Sequence, residues 1–196
     1  MKLKWMQFQF AAACCLVGLS SLAAGQAAGT AAVATPADAV NAQLRLIEGE
    51  MMGAVDAMPA DKYSFAPSAA IFVPGQKAEF ATVRTFVQQV THVAQANYFF
   101  FSTISGLKPD VDMKAIPKLT NKDEAVAALA GSFAFGHKAI STLTAANAFE
   151  VLKSPEPGLQ TRATLATFAV AHAFDHYGQM VEYLRMNGIV PPASAK

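Results

Sequence analysis

The residues of this chain that are best suited to chemistry are three histidines. His172 and His176 lie four positions apart, and on a helix this spacing puts both rings on one face, with Cβ atoms about 5–6 Å apart. His92 lies in a separate apolar segment that can supply a third ring. Three imidazoles with open positions for water or substrate are typical of a working metal centre. The alternative is a pair of hydrogen-bonded core histidines, and the spacing alone does not decide between the two.

Polar residues next to the histidine pair extend this candidate site. Asp175 and Gln179 lie within one helical turn of His176, where their side chains can hydrogen bond to an imidazole and orient it. The alternative for both residues is a solvated position at the edge of the helix.

A fourth histidine, His137, lies between Phe133 and Ile140 on another apolar stripe. It is either a fourth ligand, an acid–base group near the ion, or a core histidine with a local hydrogen bond. Because no glutamines surround it, we expect drier surroundings and a neutral ring.

The first 23 residues are typical of an export signal. Lys2 and Lys4 precede an apolar run from Phe8 to Leu19, and small residues at Ser21 and Ala23 provide a cleavage site. The sequence therefore predicts a periplasmic or secreted protein, with a flexible mature N-terminus over residues 24–35 and one folded domain over 36–193. The run is short for a lasting membrane span, and the alternative is an uncleaved N-terminal anchor.

Removal of that segment changes what the composition implies. Both cysteines of the chain lie within it, so histidines and carboxylates must carry any site that remains. The segment also holds two of the 15 basic residues and none of the 14 acidic ones. A net charge near −1 without a basic run argues against nucleic acid as a partner.

Apolar residues recur at spacings of three and four in four segments, which predicts an all-α four-helix bundle. The expected helices cover about residues 36–58, 77–102, 120–143 and 161–187. On the fourth helix His172 and His176 fall on the stripe that faces the other helices. We expect long loops between helices 1 and 2 and between helices 2 and 3, both around one open end of the bundle.

The last helix and its tail resemble the C-terminal signature of the DinB-like superfamily. The signature is carried by His172-x-x-x-His176-Tyr177-Gly178-Gln179 and by the ending Asn187-Gly188-Ile189-Val190-Pro191-Pro192. His92, followed by Asn97, is similar to the histidine of that family's second helix. The resemblance covers about Val40 to Ala193. It implies a bundle, often a homodimer, that binds Zn²⁺ or Ni²⁺ through His92, His172 and His176, with Asn97 as a further candidate beside the ligands.

The resemblance implies two classes of function. One is a metal-dependent enzyme, either a transferase or isomerase that uses a low-molecular-weight thiol as thiolate or a hydrolase in which the ion activates water. The other is a non-catalytic metal-binding or stress-related bundle. Export argues against the thiol chemistry, because such thiols are abundant in the cytosol. The sequence also contains no H-E-x-x-H glutamate to act as the base of a hydrolase.

Overall fold

A computed structural model describes residues 35–68, 75, 83–154 and 156–195. The expected export signal and nearly all of the expected flexible N-terminus lie outside these residues. The described part contains four α-helices, Pro36–Ala57 (α1), Phe86–Ser105 (α2), Lys122–Ile140 (α3) and Arg162–Met186 (α4). Its only extended pairing is an isolated bridge between Val151 and Thr161. The all-α four-helix prediction is therefore confirmed.

Each helix begins directly after a side chain that caps it. Thr35, Thr85, Asn121 and Thr161 each accept a hydrogen bond from the backbone amide three residues later, which satisfies one of the free amides of the first turn. The predicted starts of α1, α3 and α4 agree with these caps to within about two residues.

The predicted start of α2 is wrong. Residues 83–85 are not helical, because Thr85 and Gln88 form a reciprocal capping box in which the Gln88 side chain also accepts from the Thr85 amide. Such a box ends helical hydrogen bonding on its N-terminal side. The other end of α2 extends to Ser105 and stops at Gly106, whose φ of 76° is left-handed.

The direction of each helix follows from its contacts. On α2 and α3 the contacts advance together, from Asn97 with Ser132 to Phe101 with Gly136, so these two helices are parallel. Between α2 and α4 the order is reversed. Gln89 meets His176 near the start of α2, and the carbonyl of Ile104 meets Arg162 near its end. The helices α2 and α4 are therefore antiparallel.

The first helix is antiparallel to α3, because Lys122 of α3 donates to the carbonyls of Asp56 and Met58 at the end of α1, whereas His137 contacts Asn41 near its beginning. The helices α1, α2, α3 and α4 therefore run up, down, down and up. The helices α1 and α2 each pack mainly against α3 and α4.

Parallel α2 and α3 require a connection that returns along the length of the bundle. Residues 106–121 form this crossover, and the side chain of Gln95, midway along α2, donates to the carbonyl of Met113 in it at 3.0 Å. Sixteen residues can span at most about 50 Å, enough for a 19-residue helix of about 28 Å. The expectation that both long loops surround one end is wrong for this second loop.

The predicted apolar stripes form most of the core. All six stripe residues of α1, from Val40 to Met58, are buried, as are Leu129, Phe133 and Ile140 of α3. Two apolar side chains differ from the pattern. Phe99, in the apolar run near the end of α2, and Met186, on the inward stripe of α4, are expected to be buried but are 44% and 42% exposed. None of the described helices is long and apolar enough to cross a membrane.

Candidate metal centre

Three histidine rings meet where α2 crosses the middle of α4. His92 comes from the second turn of α2, and His172 and His176 come from one face of α4. The ring centroids are 4.5–5.1 Å apart, and one nitrogen of each ring lies within 4.8 Å of the others. The predicted meeting of these three side chains is confirmed.

The separation of the ring nitrogens fits a shared ion. Nε2 of His92 and Nε2 of His172 are 3.2 Å apart, and two nitrogens bound tetrahedrally at about 2.0–2.1 Å from one ion lie roughly 3.3–3.4 Å apart. In the metal-free protein the same separation lets one ring donate an N–H to the other. This pair therefore has the separation of two ligands of one ion, and a nitrogen of His176 lies within 4.8 Å of both.

All three rings favour the neutral form that binds metal. Burial lowers the pKa of His92 and of His176 to about 4, and the neighbouring rings and Arg84 contribute in the same direction. Burial also lowers the pKa of His172, against a smaller opposing effect of Asp175. At neutral pH each ring therefore keeps a lone pair, so that a cation does not compete with a bound proton.

A hydrogen-bond chain leads from the centre to the surface of α4. Nδ1 of His176 contacts Oε1 of Gln89 at 2.6 Å, Nε2 of Gln89 donates to Oε1 of Gln179 at 2.8 Å, and Nε2 of Gln179 donates to Oδ2 of Asp175 at 3.0 Å. Gln179 and Asp175, both expected near the site from the sequence, take part in this chain.

The sequence places Gln89 in a polar patch beside His92, together with Gln88 and Gln95, but does not identify it as the partner of His176. The available signal was a polar residue on an apolar helix three positions before His92, and Gln89 is only 2% exposed. Burial of an amide among apolar residues calls for hydrogen-bond partners, but its partner His176 is 87 residues away in the chain.

Asn97 takes a different position from the one that the resemblance implies. Its side chain is fully buried and donates to Oγ of Ser132 on α3 at 3.1 Å. Its Oδ1 is buried without a partner among the described residues. Asn97 thus links α2 to α3, whereas the histidines lie between α2 and α4.

A pocket of about 300 Å³ adjoins the histidines. His92 and His172 form part of its wall, together with one acidic side chain, Glu156 from the connection between α3 and α4. The rest of the wall consists of one polar side chain, Gln95, and five apolar ones, Ala96, Phe99, Phe100, Met113 and Phe168. The rings of Phe100 and Phe168 pack edge to face with their centroids 5.4 Å apart. The ring of Phe100 packs in the same way against His172, with centroids 5.5 Å apart.

The fourth histidine lies elsewhere. His137 joins α3 to α1, with Nδ1 2.9 Å from Oδ1 of Asn41 and Nε2 2.8 Å from a carboxylate oxygen of Glu48. Its side chain is 28% exposed. The expectation of dry surroundings is therefore wrong, because two polar residues of α1 and solvent surround this ring.

Fold and site together define an all-α four-helix bundle with a largely buried three-histidine candidate metal site. A sequence profile described as the DinB superfamily matches residues 43–180, which include all three histidines. The chain belongs to the DinB superfamily. Among curated proteins, none is significantly similar to it.

Proposed function

We propose that this protein is a metal-dependent enzyme, a hydrolase or transferase, in which His92, His172 and His176 hold one Zn²⁺ or Ni²⁺ ion beside a small apolar pocket. The observation that carries the proposal is the convergence of three imidazoles, two of which, His92 and His172, line that pocket. Three protein ligands leave coordination positions for water or substrate. When bound, such an ion acts as a Lewis acid and lowers the pKa of a coordinated water or thiol.

Glu156 is the residue best placed to move a proton in this pocket. It lines the pocket together with His92 and His172, and it contributes to the electrostatic environment of the His172 ring. A carboxylate within reach of the reacting group can accept a proton from a ligand during the reaction. Glu156, which lies in a loop, can therefore act as the base, although the sequence lacks the helical glutamate of an H-E-x-x-H motif.

The walls of the pocket favour a ligand with an apolar part of limited size. Five apolar side chains, three of them phenylalanines, face a volume of about 300 Å³. A cavity of about 150 Å³ lined by similar residues binds benzene, so this pocket suits a body of about the size of naphthalene. We expect the ligand to combine such a body with one group that can bind the ion.

The proposed metal binding is tested by metal analysis of protein purified without a histidine tag. We expect one divalent ion per chain, removal by a chelator, and rebinding of zinc or nickel that raises the melting temperature. The matched control is the triple variant His92→Gln, His172→Gln and His176→Gln. Equal zinc affinity of the native protein and this variant would contradict the proposal.

A pair of hydroxamates tests the pocket. Acetohydroxamate and 2-naphthohydroxamate carry the same metal-binding group, but only the second has an apolar body. Calorimetry on zinc-loaded protein should show the naphthyl compound binding about tenfold or more tightly, because it buries more apolar surface. The difference should shrink in Ala96→Leu, which fills the pocket. If the ion binds and stabilises the fold but neither hydroxamate binds, the non-catalytic metal-binding or stress-related role is the better description.

The proposed place of action is the periplasm or the extracellular space. This part of the proposal rests on the basic, apolar and small-residue segments of residues 1–23, which follow one another in the order of an export signal. N-terminal sequencing of protein isolated from cells tests it. We expect a start near Ala24, and a cytoplasmic protein that begins at Met1 would contradict export and favour the thiol-dependent transferase.

A further inference from the structure

We infer that Asp175, Gln179 and Gln89 act as positioning residues that hold His176 in one tautomer, with the proton on Nδ1 and the lone pair of Nε2 available to the ion. This inference rests on the proposed metal centre and concerns how the chain prepares one of its ligands. It follows from the order of donors and acceptors along the hydrogen-bond chain.

The direction of the chain is set at its outer end. An ionised carboxylate can only accept hydrogen bonds, so Asp175 requires the amide nitrogen of Gln179 to face it, as the 3.0 Å contact shows. The carbonyl oxygen of Gln179 must then face the other way, toward Gln89. One exposed charge thus decides which way the first amide points.

The second amide passes this orientation on to the ring. Gln89 donates from its nitrogen to the oxygen of Gln179 at 2.8 Å, and therefore its own oxygen faces His176 at 2.6 Å. A carbonyl oxygen is only an acceptor, so Nδ1 of His176 must be the donor. In a neutral imidazole one nitrogen carries the proton and the other the lone pair, which leaves Nε2 of His176 free to bind a cation.

The burial of the two inner members of the chain, His176 and Gln89, explains why the orientation persists. His176 and Gln89 are 5% and 2% exposed, so reversing the Gln89 amide would place two oxygens against each other and leave a buried N–H without an acceptor. A buried polar group without a partner destabilises the fold. Partners that orient a metal-binding imidazole typically change metal affinity by about 10–100-fold when they are removed.

Nitrogen NMR of protein labelled with ¹⁵N-histidine tests the inference directly, because long-range ¹H–¹⁵N spectra distinguish the two tautomers. In the metal-free native protein at pH 7.5 we expect the His176 signals of an Nδ1–H ring, assigned by their loss in His176→Gln. In Gln89→Leu we expect a shift toward the Nε2–H tautomer and a fall in zinc affinity of about 10–100-fold. Gln89→Glu should keep the proton on Nδ1, since a carboxylate oxygen also accepts there.

Two further variants separate this role from general stability. Asn97→Leu removes a buried amide eight residues further along α2, whose hydrogen bond goes to Ser132 on α3, and it should leave the His176 tautomer and the zinc affinity unchanged. Asp175→Asn removes the acceptor that sets the direction but keeps the size of the side chain. We expect a mixture of tautomers in this variant and an affinity loss smaller than that of Gln89→Leu.

An Nε2–H ring at position 176 in the native protein, or an unchanged tautomer in Gln89→Leu, would overturn the inference even if zinc binds. If the tautomer of His176 changes in the variants as predicted but the native protein binds no zinc, the proposed function is refuted and the tautomer assignment remains valid. The two failures are distinguishable because the NMR measurement is made without metal.

Discussion

Histidines occupy two kinds of place in this bundle, and the groups that face each ring differ. At the crossing of α2 and α4, His92, His172 and His176 face one another and the amide of Gln89. Between α3 and α1, both nitrogens of His137 face oxygen atoms, one of them from a carboxylate. The first place is largely buried, and the second is partly open to solvent.

This difference decides what each ring can bind. Both nitrogens of His137 are engaged by side chains of α1, and none of the other three histidines lies beside this ring to share a cation with it. The clustered rings face other imidazoles, and burial keeps them neutral, so their lone pairs remain available. All four histidines lie on inward stripes of their helices. Whether such a histidine can bind a metal or only links two helices therefore depends on the side chains that other helices place beside it.

The largest expected effect is on metal binding. Replacing His92, His172 or His176 singly by Ala should abolish stoichiometric zinc, with an affinity loss of more than about 100-fold, because one of only three protein ligands is removed. His137→Ala should retain one zinc per chain. Metal analysis after gel filtration measures both, and circular dichroism should show that the helices persist. Zinc lost from the His137 variant alone would reverse our assignment of the two places.

The second prediction concerns acid. The clustered histidines have a pKa that folding lowers, so the unfolded chain binds more protons as the pH falls below about 6.5. Their contribution to stability is therefore fully present above pH 6.5 and is lost as the pH falls toward about 4. Between these values the melting temperature of the metal-free protein should fall by roughly 5–10 °C more than that of a His92→Gln, His176→Gln variant. If the melting temperatures of the two proteins fall by the same amount between pH 6.5 and pH 4, these rings do not cause the loss of stability in acid.

The third prediction isolates the link between α3 and α1. His137→Gln should lower the free energy of unfolding by about 1 kcal/mol, because it disturbs hydrogen bonds to Asn41 and Glu48 that are only partly shielded from water. In a domain of this size that corresponds to a fall of about 2–4 °C in melting temperature. Zinc affinity should stay as in the native protein. A loss of zinc without a loss of stability would show that His137 serves the metal centre.

The smallest effect is expected for Glu48→Gln. The carboxylate of Glu48 that contacts His137 is 31% exposed, and even a charged pair with this exposure contributes only about 0–1 kcal/mol. We expect a loss of about 0.5 kcal/mol in urea unfolding at low salt, and a smaller loss in 1 M NaCl because salt screens the pair. A loss as large at high salt as at low salt would show that shape, and not charge, matters at this contact.

The sequence predicted those parts of the fold that depend on neighbours within about one helical turn. The stripe from Val40 to Met58 became buried, and the caps at Thr35, Asn121 and Thr161 set the helix starts, because capping and amphipathic spacing both act over three or four residues. The error at the start of α2 arose within this range. Thr85 and Gln88 have the spacing of a capping box, whereas the apolar pattern that predicted the helix begins before them.

For the site, the sequence by itself determined that His172 and His176 share one helical face, since a four-residue spacing is one turn wherever the helix lies. Only the tertiary structure decided which helix crosses that face. The parallel course of α2 and α3 brought His92 and Gln89 to α4, sent Asn97 toward Ser132, and left His137 against Asn41 and Glu48. These partners lie 35–96 residues apart in the chain, and no local pattern specifies them, because helix packing depends on the shapes of whole surfaces.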